Sequence, residues 1–447
     1  MKRQPLHNIL SELQAEHQLR RRTTIDGFVD AGNRLLTSAG GGTLVDFSSN
    51  DYLGLAHHPA VAAEMSACAS RTGAGSAASH LITGHGIEHQ RLEEELAAFL
   101  GRERALLFST GYMANLGVMT ALAGRGEQVL LDRLSHASII DGALLSGARF
   151  KRYAHNDAVA AERALAEGAD DVAVLATDGV FSMDGDLAPL PGLAKVATAS
   201  KAWLVVDDAH GIGVLGAQGR GSLEHFGMTP DDVPVLVGTL GKALGSFGAF
   251  VAGSRDLIEY LVQRARPYIY TTALPQPVAA ATRKALEIAQ RERWRRERVL
   301  ALTARFRRAA RSAGIPLMNP EAPASHPHPH PHPHPASARS PIQNPAVVQS
   351  GSAHQFAPAP PTPIQPVVLG SSEAALSAQQ ELLRAGFRVV AIRAPTVARG
   401  SERLRITLSA AHTEEQVDGL VDALSHVFSQ HTGIHAPLMD IDANTPG

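Results

Sequence analysis

The chain has one cysteine, Cys68, in 447 residues, so no disulfide can close within it and a reducing compartment is its natural home. It also lacks a charge excess: 41 Lys and Arg against 43 Asp and Glu leave a formal net charge of −2. That balance argues against a nucleic-acid binder or a protein that lives on anionic membrane, since both need a basic surface. The opening stretch, MKRQPLHNILSELQAEHQLRRR, holds no continuous apolar core, so no secretory signal is read there and a cytoplasmic protein is expected. Uninterrupted apolar runs are scarce. The best of them, Val233 to Gly253, carries Lys242 and five glycines in twenty-one residues. A lysine at a bilayer centre costs roughly 3 kcal/mol and glycines make a poor span, so two buried strands flanking a turn explain the run better. The remaining composition, 44% apolar, is ordinary for a soluble enzyme with a large core and two domains.

The stretch from Trp203 to Gly245 organises the rest. WLVVDDAHGIGVLGAQGRGS opens as a buried strand and places Asp207, Asp208 and His210 where that strand stops; VPVLVGTLGKALG then returns through a second apolar run to Lys242. In an open parallel sheet, ligands sit outside the carboxyl ends of the strands. An acid, an imidazole and an amine delivered there suit pyridoxal phosphate, which needs a lysine to form a Schiff base and a carboxylate to keep its pyridine nitrogen protonated. Small and apolar neighbours desolvate Lys242, which disfavours the ammonium and helps supply a nucleophilic amine. The competing reading of GIGVLG, Gly211 to Gly216, is a dinucleotide loop, but that fingerprint should open a helix and here runs into further glycines.

Residues 5 to about 22 have helical apolar spacing, and the terminal Arg20, Arg21 and Arg22 read, on spacing alone, as a solvated helix end. The small-residue stretch GAGSAA imitates a phosphate loop but follows a helical segment, so it is read instead as allowing close approach of a ligand or another subunit. From Glu88 onward helices and strands alternate: helix EHQRLEEELAAFLG, strand ALLFS, a helix from Tyr112, strand QVLLD, helix HASIIDGALLSG, strand RFKRYAH, helix AVAAERALAEG, strand DVAVLAT, helix LPGLAKVATAS, then strands WLVVDD, VPVLVGT and GAFVAG. This alternation predicts an α/β fold with a mostly parallel sheet in a large domain. A helical run from Pro275 to Gly314 has a basic face read as solvated, and leads to a smaller α+β domain. The predicted division is an N-terminal helix and arm over 1–50, a large cofactor-binding domain over 51–285 and a small domain over 286–447. The small domain is interrupted at about 320–362 by a His/Pro-rich insertion whose composition favours an extended, exposed segment. Alternating histidines in a three-per-turn helix do not share a face, so no metal site is expected there.

Further pieces fit a phosphopyridine site. In ALLFSTGYMAN a strand, a glycine turn and a helix start put the amides near Gly111 and Tyr112 where they can hold a phosphate, and Thr239 can add a hydroxyl. His136 in RLSHASII can lie flat on the ring, while Ser182 in VFSMDGD and His210 can meet the phenolic oxygen.

Together the motifs SSNDYLGL, RLSHAS, VFSMDGDLAPL, VDDAHGIGVLGAQGRGS, TLGKALG and RLRITLSAAH resemble those of the α-oxoamine synthases, fold-type-I pyridoxal phosphate enzymes that condense an amino acid with an acyl thioester. The resemblance covers nearly the whole chain outside the insertion. It implies that Lys242 is the Schiff-base lysine and catalytic base, that Asp207 pairs with the pyridine nitrogen, and that His210 and Ser182 contact the phenolic oxygen. By the same likeness Gly111, Tyr112 and Thr239 belong to the cofactor cradle, and His136 stacks on the ring, takes part in catalysis and contacts the substrate. Arg20 is implied to lie near the acyl substrate, overturning the bland reading of that arginine; Thr396 is implied to bind substrate and Arg405 to hold the amino-acid carboxylate. A homodimer is implied too, with Thr271 and Thr272 reaching the neighbour's phosphate. Two positions depart from the family pattern: Asp178 stands where glutamate is usual, and Ala394 where proline is common. Within the family, the DDAHG and YAHND forms lean towards the member that uses L-alanine and a pimeloyl group carried by coenzyme A or acyl carrier protein. The alternatives are 2-amino-3-ketobutyrate ligase and 5-aminolevulinate synthase, which use glycine, and serine palmitoyltransferase. A non-catalytic subunit of the same fold is disfavoured because the lysine is present, and metal storage by the His/Pro tract is a minor alternative.

Overall fold

Apolar runs between residues 104 and 253 become strands, and the central ones are buried on both faces, which is why they read as nearly continuous hydrophobic segments. The computed structural model describes residues 5–30, 35–38, 42–166, 172–318 and 361–430. Three arm strands come first, β1 (Ile25–Asp30), β2 (Leu35–Ser38) and β3 (Thr43–Asp46). The main sheet follows: β4 (Arg104–Phe108), β5 (Gln128–Asp132), β6 (Arg149–Tyr153), β7 (Val172–Asp178), β8 (Trp203–Asp207), β9 (Val235–Thr239) and β10 (Ala249–Gly253). Their order is β4-β10-β9-β8-β7-β5-β6, and β10 alone runs against the rest. Along β8, Leu204 and Val206 face one apolar core and Val205 the other, the two-residue period of a strand sandwiched between helical layers.

The helices are α1 (Leu6–Ala15), α2 (Pro59–Thr72), α3 (Ile87–Leu100), α4 (Gly111–Leu122), α5 (Ala137–Ser146), α6 (Ala158–Ala166) and α7 (Leu190–Ser200). After them come the short α8 (Ser222–His225), α9 (Arg255–Arg264), α10 (Arg266–Ile269), α11 (Gln276–Arg291) and α12 (Trp294–Ser312). Beyond residue 361, strands β11 (Ile364–Val368), β12 (Phe387–Arg388), β13 (Val390–Ile392) and β14 (Arg403–Thr407) combine with helices α13 (Ser372–Arg384) and α14 (Glu414–Gln430). β11, β14 and β13 form a sheet that shares a third core with α12, α13 and α14.

Several expectations change in detail. The first helix stops at Ala15 and not near residue 22, because its backbone turns back on itself: His17 is left-handed, and the amides of Gln18 and Leu19 donate to the Leu13 carbonyl at 2.7 and 2.9 Å. Arg20 is therefore freed from a helix end. The expected run from Pro275 to Gly314 breaks at Glu292 into α11 and α12, and the Arg296 guanidinium takes up the Ala289 carbonyl at 2.7 Å. FRVVAI divides, since β12 pairs with β3 of the arm while β13 pairs with β14. The His/Pro segment lies outside the described residues, but Thr362, at its expected end, is buried and donates to the Gly185 carbonyl at 2.7 Å. The apolar run around Lys242 is the antiparallel pair β9 and β10, with the lysine in the connecting turn. Among the described residues no helix is long and apolar enough to cross a membrane.

Candidate active site

β8 ends at Asp207, and the backbone then turns through four left-handed glycines, Gly213, Gly216, Gly219 and Gly221, before the short α8. The loop is held from within: the buried Asp208 carboxylate accepts the Ser222 amide at 2.7 Å, and a Cβ on Gly211 or Gly221 would sit 2.1 or 2.0 Å from its oxygens. This places His210 beside Lys242, which arrives from the β9–β10 turn. Thr239 closes that turn, donating to the Gly248 carbonyl at 3.1 Å and accepting the Gly241 amide at 3.3 Å.

Lys242 Nζ lies 2.7 Å from His210 Nε2, and His210 Nδ1 lies 2.6 Å from the Tyr52 hydroxyl. Tyr52 in turn donates to Asn50 Oδ1 at 3.3 Å, an oxygen that also accepts both Arg405 Nη atoms at 3.0 and 3.1 Å. One polar chain thus runs from the amine to the guanidinium. Burial lowers the Lys242 pKa to about 8, with Asp207 pulling it back up and Arg405 pushing it further down. Burial, then Lys242 and Arg405, hold His210 well below the ordinary histidine range, so its ring is neutral. A neutral ring accepting from the lysine at Nε2 carries its proton on Nδ1, towards Tyr52.

Asp207 accepts Asn115 Nδ2 at 2.6 Å and the Ala209 amide at 3.1 Å. Asn115 is on α4, whose N-cap Thr110 accepts the Met113 amide and whose first residues are Gly111 and Tyr112. A Cβ on Gly111 would meet nothing within 4 Å, so there is open space beside the first residue of the helix. Asp178 pairs with Asp207 across the β7–β8 register, and burial together with the Asp207 charge raises its pKa well above the usual carboxylate range. That shift weakens Asp178 as a competitor with Asp207 for a positive partner. Its Oδ2 accepts the His136 amide at 2.9 Å, and His136, the N-cap of α5, is fixed by Ser138 Oγ at 2.7 Å.

The remaining candidates lie in three places. Ser182 joins the cluster through its carbonyl, which accepts Arg405 Nε at 2.6 Å. Arg20 and Thr396 meet each other, Nη2 to Oγ1 at 3.2 Å, on an exposed surface where the segment after α1 meets the loop between β13 and β14. Tyr112 is exposed, and its hydroxyl bonds to Asp141. Asn50, Tyr52, Asn115 and Ser138 are site residues that sequence reasoning passed over. Asn115 had a signal, since it lies one helical turn beyond Gly111 on the sheet-facing side of α4. The set of groups fits pyridoxal phosphate: a desolvated amine, a buried carboxylate held by two donors, a flat imidazole and open amides at a helix start.

A mostly parallel sheet with a lysine turn and an acid at adjacent strand ends defines the class, and the chain belongs to the aminotransferase class I and II family, whose model matches residues 42–333 and 346–424. Its particular relatives are 8-amino-7-oxononanoate synthases. The enzyme of Methylococcus capsulatus is 53% identical over 421 residues, covering 94% of this chain and 97% of that one. That of Pseudomonas putida strain W619 is 54% identical over 390 residues, 87% of this chain and 90% of its own. Among solved structures, 8-amino-7-oxononanoate synthase from Francisella tularensis superimposes with a TM-score of 0.69 at 27% identity, over 87% of this chain and 99% of that one. Serine palmitoyltransferase of S. paucimobilis, solved with PLP and myriocin, has a TM-score of 0.82 at 27% identity, over 96% and 98% of the two chains.

Proposed function

We propose that this chain condenses L-alanine with a pimeloyl thioester to give 8-amino-7-oxononanoate, carbon dioxide and free thiol, a step of biotin biosynthesis. The observation that carries this reading is the likeness to curated 8-amino-7-oxononanoate synthases over 94% of the chain at 53% identity. Pyridoxal phosphate is the cofactor, and when bound it accepts the electron pair left at the amino-acid α-carbon. Lys242 would hold it through its amine and would take the α-proton of the amino acid, two tasks that both need an amine neutral near physiological pH. Asp207, oriented by Asn115, keeps the proton on the pyridine nitrogen. His136 would cover the ring, His210 and Ser182 would address the phenolic oxygen, and Gly111, Tyr112 and Thr239 would serve the phosphate. Arg405 presents its guanidinium to the alanine carboxylate, while Arg20 and Thr396 line the path of the acyl chain. The acyl carrier is coenzyme A or an acyl carrier protein, the assembly is a homodimer that Thr271 and Thr272 help to complete, and the enzyme works in the cytoplasm. Its chain divides into an arm, a large and a small domain near residues 50 and 285.

A product assay tests the reading. Alanine, glycine and serine are each offered with pimeloyl, acetyl and palmitoyl thioesters. Alanine with the pimeloyl group is expected to give the fastest product formation; a preference for glycine with acetyl, or serine with palmitoyl, would overturn it.

A further inference from the structure

His155, in YAHND, has a largely buried side chain outside the cluster around Lys242 and has no part in the mechanism above. Its Nδ1 lies 2.9 Å from Asp132 Oδ1 and its Nε2 2.8 Å from Asp186 Oδ2, with 7% of the side chain exposed. A carboxylate at each ring nitrogen requires a proton on each, so the ring is an imidazolium. Burial opposes that charge, but the two carboxylates outweigh it and raise the pKa to about 10. His136 and His210 are by contrast pushed down by burial.

The two acids belong to different loops. Asp132 ends β5, and its Oδ1 also accepts the Leu134 amide at 2.8 Å, shaping the turn that delivers His136. Asp186 ends the loop after β7 that carries Ser182; its carbonyl accepts the Phe181 amide at 3.0 Å, and the Gly185 amide donates to Phe181 at 2.8 Å. Phe181 meets the His155 ring edge-on at 4.4 Å. Asn156 repeats the bridge, its amide donating to Asp132 Oδ2 at 2.9 Å and its Nδ2 to Asp186 Oδ2 at 2.8 Å. We propose that His155, clamped between Asp132 and Asp186, is a positioning residue that sets the His136 turn and the Ser182 loop relative to each other, and through them the orientation of the bound cofactor and of Arg405. The proposal rests on the function read above, in that it takes these two loops to flank the cofactor.

The test compares the PLP-loaded full chain with its H155Q and D186N variants and the double variant. Glutamine can donate to one carboxylate but not to both, whereas Asp186→Asn leaves the His155–Asp132 half intact and serves if H155Q does not fold. The expected result is a diminished visible circular dichroism band of the bound cofactor and a fall in turnover of roughly ten- to a hundredfold. The double variant is expected to be little worse than either single one, since both break the same clamp. A folded H155Q or D186N that loses only thermal stability, with visible dichroism and turnover within twofold of the parent, overturns the proposal, as does full additivity in the double variant. Dichroism needs no substrate, and turnover is taken as a ratio on whichever substrate pair the parent accepts. A wrong substrate assignment therefore leaves this outcome readable.

Discussion

On the proposed reading, Lys242 is a nucleophile inside a protein that must also hold it still. Burial supplies the first property and the 2.7 Å contact with His210 the second. Because its folded pKa of about 8 lies below the 10.5 of an ordinary lysine, the unfolded chain keeps the proton through that window and the folded apoprotein does not, so stability from this group rises with pH between them. The same shift sets reactivity. The rate at which the apoprotein captures pyridoxal phosphate is expected to rise through pH 8 and level off; a rate still climbing steeply at pH 10 would show a lysine with ordinary basicity. Lys242, Asp207 and His210 were legible in the sequence because each stands at or just past the end of an apolar strand, where chemistry collects in a parallel sheet. Tyr52 and Asn50 were not, since Tyr52 reaches His210 across 158 positions and no local pattern records so distant a hydrogen bond.

At the scale of elements, the reactive turn depends on backbone that only glycine tolerates. Gly245, three residues after Lys242, has φ of +61°, and a Cβ there would lie 2.2 Å from the Ala56 amide nitrogen. Gly245→Ala is expected to cost about 2–5 kcal/mol, left-handed strain plus overpacking, read as a drop in the denaturant midpoint; a loss under about 0.5 kcal/mol would mean the turn repacks freely. The strands of the main sheet could be read from their apolar runs, since a strand buried on both faces has little else to be. Helix ends were harder. α1 stops where its apolar spacing runs out at Leu13, and no residue of it is buried, so no packing draws the helix on towards the arginines. The break between α11 and α12 carries no glycine or proline, and its stabilising contact, Arg296 to the Ala289 carbonyl, is a three-dimensional one.

For the whole molecule, the sheet brings β7, β8 and β9 side by side so that Asp178, Asp207 and the Lys242 turn meet at one edge, while β14 carries Arg405 in from the small sheet. The His/Pro tract lies outside the described residues. Leu317 and Val367, on either side of it, pair with each other, so the chain leaves and returns at one place. Deleting residues 326 to 335 is expected to leave turnover unchanged and to move Tm by no more than about 2 °C; a collapse of activity would give the tract a role in the site. The central claim is that the amine of Lys242 takes up the cofactor. Its most direct test is borohydride reduction of the PLP-loaded protein followed by peptide mapping. The expected result is one stable phosphopyridoxyl label on Lys242, absent from the K242A variant; a label on another lysine, or one that survives in K242A, would contradict the account.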